Sequence, residues 1–199
     1  MEPACGAETD AGGLPLPEVT HQDPGDDSGE CAMRAYARRA CEPTGMGPEY
    51  GVPALVTIAL RESACDHPRR RVNTTDSNAH GPVMADGHPR NCSRGATRCI
   101  PPAFAAYHQE GIATTPYDVV ARMCATINHV RARYGVDRSG SGFAERVQQA
   151  DPGRPPRGYR TGLPRPASLT TAPSPSSLAG HHQPPVGAPV GAIPVPPTR

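Results

Sequence analysis

The distribution of proline sets the strongest limit on what this 199-residue chain can fold into. The chain has 26 prolines and 21 glycines, about a quarter of its residues, near the level at which composition indicates disorder. Residues 160–199 hold 10 of the prolines and no acidic residue, which predicts a disordered Pro-rich tail. Residues 1–29 are polar, acidic and rich in Gly and Pro, which predicts a disordered leader. One domain is therefore expected, over residues 30–159.

Apolar runs long enough for a membrane span are missing from the sequence. The longest, residues 54–60, is far shorter than a bilayer-crossing helix, so a transmembrane protein is excluded. The first residues have neither a basic segment nor an apolar one, so no signal peptide is visible. Collagen and coiled-coil repeats are also excluded.

Charge is distributed unevenly along the chain. Residues 1–30 contain eight acids and no arginine, whereas the remainder holds 20 arginines against eleven acids. All basic residues are Arg, a usage that GC-rich codons also explain. A mildly basic domain attracts anionic polymers, and both cell-wall glycan and nucleic acid are of this kind.

Seven cysteines are present, and six of them fall inside the predicted domain, the exception being Cys5. An even number in a small, loop-rich domain favours up to three disulfides in an oxidising compartment. The alternative is a zinc site, because eight histidines accompany them. No Cys or His pair has the usual zinc spacing, however, so disulfides are the preferred interpretation.

Apolar side chains at helical spacing predict a mainly α domain. Four helices are expected: one that follows a capping-box pattern at residues 27–30 and ends at Pro43, then residues 53–65, 101–107 and 116–134. Residues 66–101 are rich in Asn, Asp, Gly and Pro, and predict a small lobe of loops with a hairpin that turns at Asp86 and Gly87. Loops this long inside a compact domain are usually functional.

Glu62 is the carboxylate that best suits catalysis. It flanks the apolar stripe of the 53–65 helix near that helix's C-terminal end. Partial burial and the negative end of the helix dipole both raise a carboxyl pKa, as a general acid at neutral pH requires. The alternative is a solvated Glu62 paired with Arg61 or another nearby arginine.

Several short motifs follow one another in a fixed order around Glu62. They are Glu62–Ser63, Pro68, Val72–Asn73, Asp76–Ser77–Asn78, Ser93–Arg94–Gly95, Pro101 with Phe104 and Tyr107, Tyr117–Asp118, and Arg133–Tyr134–Gly135. This order, over residues 50–135, resembles the soluble lytic transglycosylases of actinobacteria and of the tail tape-measure proteins of their phages.

The resemblance implies a lysozyme-like fold and cleavage of the β-1,4 bond between N-acetylmuramic acid and N-acetylglucosamine in peptidoglycan. Glu62 would act first as acid and then as base, giving a 1,6-anhydro product without a second carboxylate at nucleophile distance. The resemblance further implies substrate contacts from Ser63, Asn78, Arg98 and Tyr117, with no metal and no cofactor. Peptidoglycan strands would be the partner, not nucleic acid, and the location the cell wall or a virion tail. The oligomeric state is not indicated.

Positions 97 and 98 support an alternative function. The Gly-Leu-Met-Gln motif of the family reads Gly95-Ala96-Thr97-Arg98 here, and a cation at Arg98 would lower the pKa of Glu62. The alternative is therefore a catalytically lapsed wall-binding or phage-tail structural module. A nucleic-acid binder stabilised by disulfides or zinc is a third hypothesis, which rests on composition alone.

Overall fold

The computed structural model describes residues 13–157, and this part of the chain is mainly helical, as predicted. Its helices are α1 (Glu30–Thr44), α2 (Pro48–Ser63), α3 (Pro101–Ala106), α4 (Val119–Tyr134) and α5 (Phe143–Arg146). Short 3-10 turns lie at Leu16–Glu18, Pro68–Arg70 and Gln148–Ala150. The predicted tail at 160–199 lies outside the described residues, as do residues 1–12 of the predicted leader.

The main core lies between α1, α2 and α4, with α1 packed against the other two helices. Fully buried side chains from all three helices fill it, among them Met33, Ala37, Leu55, Ile58, Met123 and Ile127. The apolar stripes predicted for these helices are therefore confirmed in most positions. Leu60 is the exception, because it is 54% exposed on the outer side of α2.

Two helix starts differ from the prediction. α2 begins at Pro48, so Pro53 lies inside the helix, where it removes one backbone hydrogen bond near the helix start. α4 begins at Val119, because Asp118 caps it by accepting a hydrogen bond from the Ala121 amide at 2.7 Å. Thr115, which would be the cap of a helix that began at residue 116, instead donates its hydroxyl to the Gln22 carbonyl.

The small lobe connects α2 to α3. Its strands β1 (Val72–Asn73) and β2 (Ser93–Arg94) pair antiparallel. The predicted hairpin is confirmed, since the Met84 amide donates to the His88 carbonyl at 2.9 Å around the Asp86–Gly87 turn. Gly95 ends β2 at φ +70°, and a Cβ there would lie 2.7 Å from the Pro116 carbonyl, so only glycine fits. The lobe is thereby held close to the start of α4.

Residues 13–29 pack against the domain, which corrects the predicted leader boundary. Val19 is buried in a second apolar cluster beside α3, and the Leu14 amide donates to the Ala105 carbonyl at 2.8 Å. Asp26 accepts a hydrogen bond from the Val119 amide at the start of α4. An acidic segment is favoured there because helix N-termini present unpaired amides and positive charge.

The six cysteines of the described residues are free thiols, so none of the predicted disulfides is found in this part of the chain. Cys31 is exposed and the other five are buried. Two of them, Cys41 and Cys124, belong to the main core, where free cysteine serves as a small apolar side chain. Within residues 13–157 no group of His, Cys, Asp and Glu could hold a metal ion, and no helix is long and apolar enough to cross a membrane.

Candidate active site

Glu62 lies in the last turn of α2 and is half-buried. Its Oε1 accepts a hydrogen bond from Gln149 Nε2 at 2.8 Å. Burial raises the pKa of Glu62 above its ordinary value, although the hydrogen bond from Gln149 and the charge of Arg98 both act to lower it. The direction that the sequence predicted is therefore confirmed, even with an arginine nearby.

The backbone after Glu62 turns sharply and places the carboxylate at the edge of the helix bundle. Ala64, Cys65 and Asp66 follow one another with φ of 52°, 59° and 64°, a left-handed conformation that side chains with a Cβ rarely adopt. The Ser63 hydroxyl stabilises this turn, since it donates to the Ala59 carbonyl at 3.0 Å and accepts from the Asp66 amide at 2.6 Å.

A cleft of about 360 Å³ opens beside Glu62. Its lining comes from the end of α2 and from the first part of the small lobe: Glu62, Arg69, Arg70, Val72, Asn73, Thr74, Thr75 and Arg98. Glu62 is the acidic residue of this set, and the set contains hydroxyl, amide and guanidinium groups but no aromatic ring. The cleft therefore presents one carboxylate and many hydrogen-bonding groups.

Arg98 reaches Glu62 through the backbone and not through the carboxylate. Its Nε donates to the Glu62 carbonyl oxygen at 2.8 Å, while its Nη1 is buried and finds no acceptor among the described residues. Burial lowers the pKa of Arg98; the charge of Glu62 raises it and the nearby Arg70 lowers it further. Arg98 is thus a strained neighbour of Glu62, at φ +48° and incompletely paired.

Gln149, which the sequence reasoning missed, is the hydrogen-bond donor that the described residues supply to the Glu62 carboxylate. It is only 4% exposed, and its Oε1 accepts from the Arg157 amide at 2.9 Å, which fixes the side-chain amide. Arg61 holds the same segment by donating to the carbonyls of Gln148 and Gln149 at 3.0 and 3.2 Å. Arg61 therefore positions the segment that carries Gln149, and it does not pair with the Glu62 carboxylate.

Of the predicted site residues, the structure brings Glu62 and Arg98 to one cleft and places the other three elsewhere. Ser63 is fully buried in the turn after α2. Asn78 is exposed in the loop after β1, where its amide donates to Asp76 Oδ1 at 3.1 Å. Tyr117 donates its hydroxyl to Asp86 Oδ2 at 2.7 Å. None of the three belongs to the cleft lining.

A buried ion pair holds the small lobe together, and the sequence reasoning did not single it out. Arg94 is fully buried and donates from Nε and Nη2 to the two carboxylate oxygens of Asp86, each at 2.9 Å. Burial acts to raise the pKa of Asp86, but hydrogen bonds from Arg94, Tyr117 and the His88 amide outweigh it and hold that pKa far below its usual range. The remaining Arg94 donors bind carbonyls of the lobe, including those of Pro89 and His88. This ion pair therefore stabilises the fold of the small lobe.

A second arginine–carboxylate pair joins the acidic segment to the turn after α2. Asp66 is 1% exposed, and its Oδ2 lies 3.0 Å from Arg71 Nη2. Arg71 also binds Asp23 and the Asp26 carbonyl, and Asp66 Oδ1 has no hydrogen-bond partner. Burial, with repulsion from Asp23 and Asp26, raises the pKa of Asp66 to about 6 although Arg71 opposes the rise.

Comparisons with protein-family models, with curated proteins and with solved structures find no match to this chain. The resemblance to lytic transglycosylases therefore rests on the ordered motifs of the sequence. The class of site is defined by its own geometry: a single carboxylate of raised pKa in a polar, cationic cleft.

Proposed function

We propose that this protein cleaves peptidoglycan glycan strands as a lytic transglycosylase, with Glu62 as its acid and base. The observation that carries the proposal is the half-buried Glu62 carboxylate, whose pKa is raised by burial and which opens on a cleft lined by hydroxyl, amide and guanidinium groups. A general acid needs a pKa near the working pH, and a sugar substrate needs many hydrogen-bonding partners.

The proposed reaction needs one carboxylate. Glu62 donates its proton to the glycosidic oxygen as the bond from that oxygen to C1 breaks. The Glu62 carboxylate then removes the proton of the muramoyl 6-hydroxyl, whose oxygen bonds to C1, and the acid is restored. Gln149 holds Oε1 throughout, so Oε2, which accepts no hydrogen bond from residues 13–157, is the oxygen assigned to carry the proton.

The position of the carboxylate supports the proposal further. The ordered motifs that resemble the transglycosylase family place the acid just before a long loop segment. In the structure Glu62 lies at the end of a core helix, where the chain enters the small lobe, and residues of that lobe form the rest of the cleft. A lysozyme-like arrangement of a helical domain and a small lobe is part of this proposal.

A catalytically lapsed wall-binding module is the second candidate. It is favoured by Arg98, whose charge lowers the pKa of Glu62 from a position beside its backbone, and by the absence of an aromatic ring from the cleft lining. Such a module would bind glycan strands without breaking them.

Digestion of purified peptidoglycan tests the proposal, with the products read by mass spectrometry. The wild type is expected to release fragments with anhydro-muramoyl ends, and Glu62→Gln, which retains an acceptor for Gln149, to lower the rate by about 100-fold or more. Glu42→Gln is the matched control, because Glu42 is exposed on α1 and lines a different groove. Reducing ends would mean that water enters and the enzyme is a hydrolase. Binding to the wall without any product from folded protein would establish the second candidate.

A further inference from the structure

Positive charge exceeds negative charge in the Glu62 cleft. Three arginines line it, Arg69, Arg70 and Arg98, against one carboxylate. Four arginines elsewhere in the described residues form ion pairs at 4 Å or less with acids of this part of the chain, and several others do not: the four are Arg34, Arg71, Arg94 and Arg154. The three cleft arginines form no such pair with any acid of residues 13–157, so the cleft retains a cationic surface.

Arg98 has a hydrogen-bond donor for which residues 13–157 supply no acceptor. Its Nη1 is buried and forms no hydrogen bond with this part of the chain, whereas Nε donates to the Glu62 carbonyl at 2.8 Å. An unpaired buried donor on a charged group is costly. A side chain that turns this donor toward an anion in the cleft therefore gains a charge-assisted hydrogen bond without breaking one.

The rest of the lining suits a sugar better than a nucleic acid. Asn73, Thr74 and Thr75 supply amide and hydroxyl groups, and the described lining residues include no ring on which a base could stack. The Glu62 carboxylate in the same cleft would repel a continuous phosphate backbone. A glycan brings one isolated anionic group into the cleft, where three arginines face the single carboxylate.

We infer that the cleft selects glycans that carry an anionic group, a carboxylate or a phosphate, and that Arg98 with Arg69 and Arg70 binds this group beside Glu62. The glycan part of this inference rests on the proposed function. Muramic acid has such a carboxylate on its lactyl ether when no peptide is attached, and phosphorylated wall sugars are the other source. Strands that bear the free anion would be preferred over strands in which it is capped.

A bound anion would also act on the acid itself. The charge of Arg98 opposes the rise in the Glu62 pKa, and a substrate anion bound to Arg98 would offset that effect. The protonated form of Glu62 would then be favoured when a substrate of the correct charge is bound. The rate on anionic glycan should persist to higher pH than the rate on capped glycan.

Calorimetric binding to the Glu62→Gln protein tests the inference without turnover. The probes are three oligosaccharides of equal length: one of glucosamine and muramic acid with free lactyl carboxylates, the same with methylamide caps, and a capped one with a phosphate ester. The free carboxylate or the phosphate is expected to bind about tenfold tighter than the capped sugar, the size of one charge-assisted hydrogen bond. Whichever anion binds tighter identifies the source.

The double variant Glu62→Gln with Arg98→Gln should lose this preference, and Glu62→Gln with Arg38→Gln should keep it. Arg38 is exposed on α1 and lines a different groove. Arg38→Gln therefore changes the net charge by the same amount as Arg98→Gln without altering the cleft. Equal affinity for capped and anionic sugars would overturn the inference, and so would equally tight binding of single-stranded DNA. If the wild type cleaves both the capped and the anionic sugar and the two bind with equal affinity, the proposed function stands and the inference is refuted. Anion preference without cleavage of either would refute the proposed function while the anion site stands.

Discussion

An arginine lies beside a carboxylate in the small lobe and again in the cleft, and the two are bonded very differently. In the lobe, Arg94 is fully buried, forms two 2.9 Å hydrogen bonds to Asp86, and has its other donors on carbonyls. In the cleft, Arg98 binds only the backbone of Glu62 and keeps an unpaired donor. The first carboxyl has a lowered pKa and the second a raised one. The contrast indicates that a carboxylate fully paired with arginine has a structural role, whereas a carboxyl that arginine does not contact directly can exchange a proton.

The largest effect is expected in the lobe. Arg94→Met should lower the free energy of unfolding by about 3–5 kcal/mol, because it leaves Asp86 buried without its partner. Urea denaturation followed by circular dichroism measures this change. Arg98→Gln is the paired comparison, and we expect it to cost less than about 1 kcal/mol, since only the hydrogen bond from the Arg98 side chain to the Glu62 carbonyl is lost and a buried donor that finds no acceptor among the described residues is removed with it. Similar losses of unfolding free energy in the two variants would show that Arg94 and Arg98 contribute equally to stability, despite their different hydrogen bonds.

The Asp66–Arg71 pair lies between these extremes and predicts a pH effect on stability. The folded-state pKa of Asp66, about 6, exceeds its unfolded value of 3.8, so the folded state binds the proton more tightly. This contribution to stability is present below about pH 4 and is lost as pH rises to about 6.

Asp66→Asn isolates the contribution. The difference in unfolding free energy between the wild type and Asp66→Asn should change by about 2–3 kcal/mol between pH 4 and pH 7, with the variant favoured at the higher pH. Asp27→Asn is a suitable control, because Asp27 is exposed and its carboxylate forms no ion pair with the described residues. If the difference in unfolding free energy does not change across this pH range, the attraction of Arg71 fully offsets the effect of burial on the Asp66 pKa.

The sequence predicted the parts of the molecule that depend on local pattern. Apolar spacing located the core helices, and the Asp86–Gly87 dipeptide located the hairpin. The prediction that burial raises the pKa of Glu62 followed from its place beside an apolar stripe. Each of these features is set by residues within a few positions of one another.

The remaining features depend on contacts between distant segments. Gln149 is 87 residues from Glu62, and nothing near Gln149 in the sequence distinguishes a buried glutamine from a solvated one. The acidic segment looked disordered because its charges were counted alone, whereas Asp26 binds the first amide of α4. Tyr117 was expected to face a sugar, but its hydroxyl is taken by Asp86, which precedes it by 31 residues.

The smallest change, and the sharpest test of the contrast between the two pairs, concerns the hydrogen bond that Glu62 does have. The hydrogen bond from buried Gln149 lowers the Glu62 pKa, so Gln149→Leu should raise that pKa further. NMR titration of the Glu62 carboxyl carbon measures the shift directly, and Gln148→Leu is the matched control because Gln148 bonds to the Pro155 carbonyl instead. A pKa that falls in Gln149→Leu would mean that water enters and solvates the carboxylate. In that case Gln149 would raise the Glu62 pKa by excluding water from the carboxylate. Glu62 and Asp86 would then differ in their access to water as well as in their pairing with arginine.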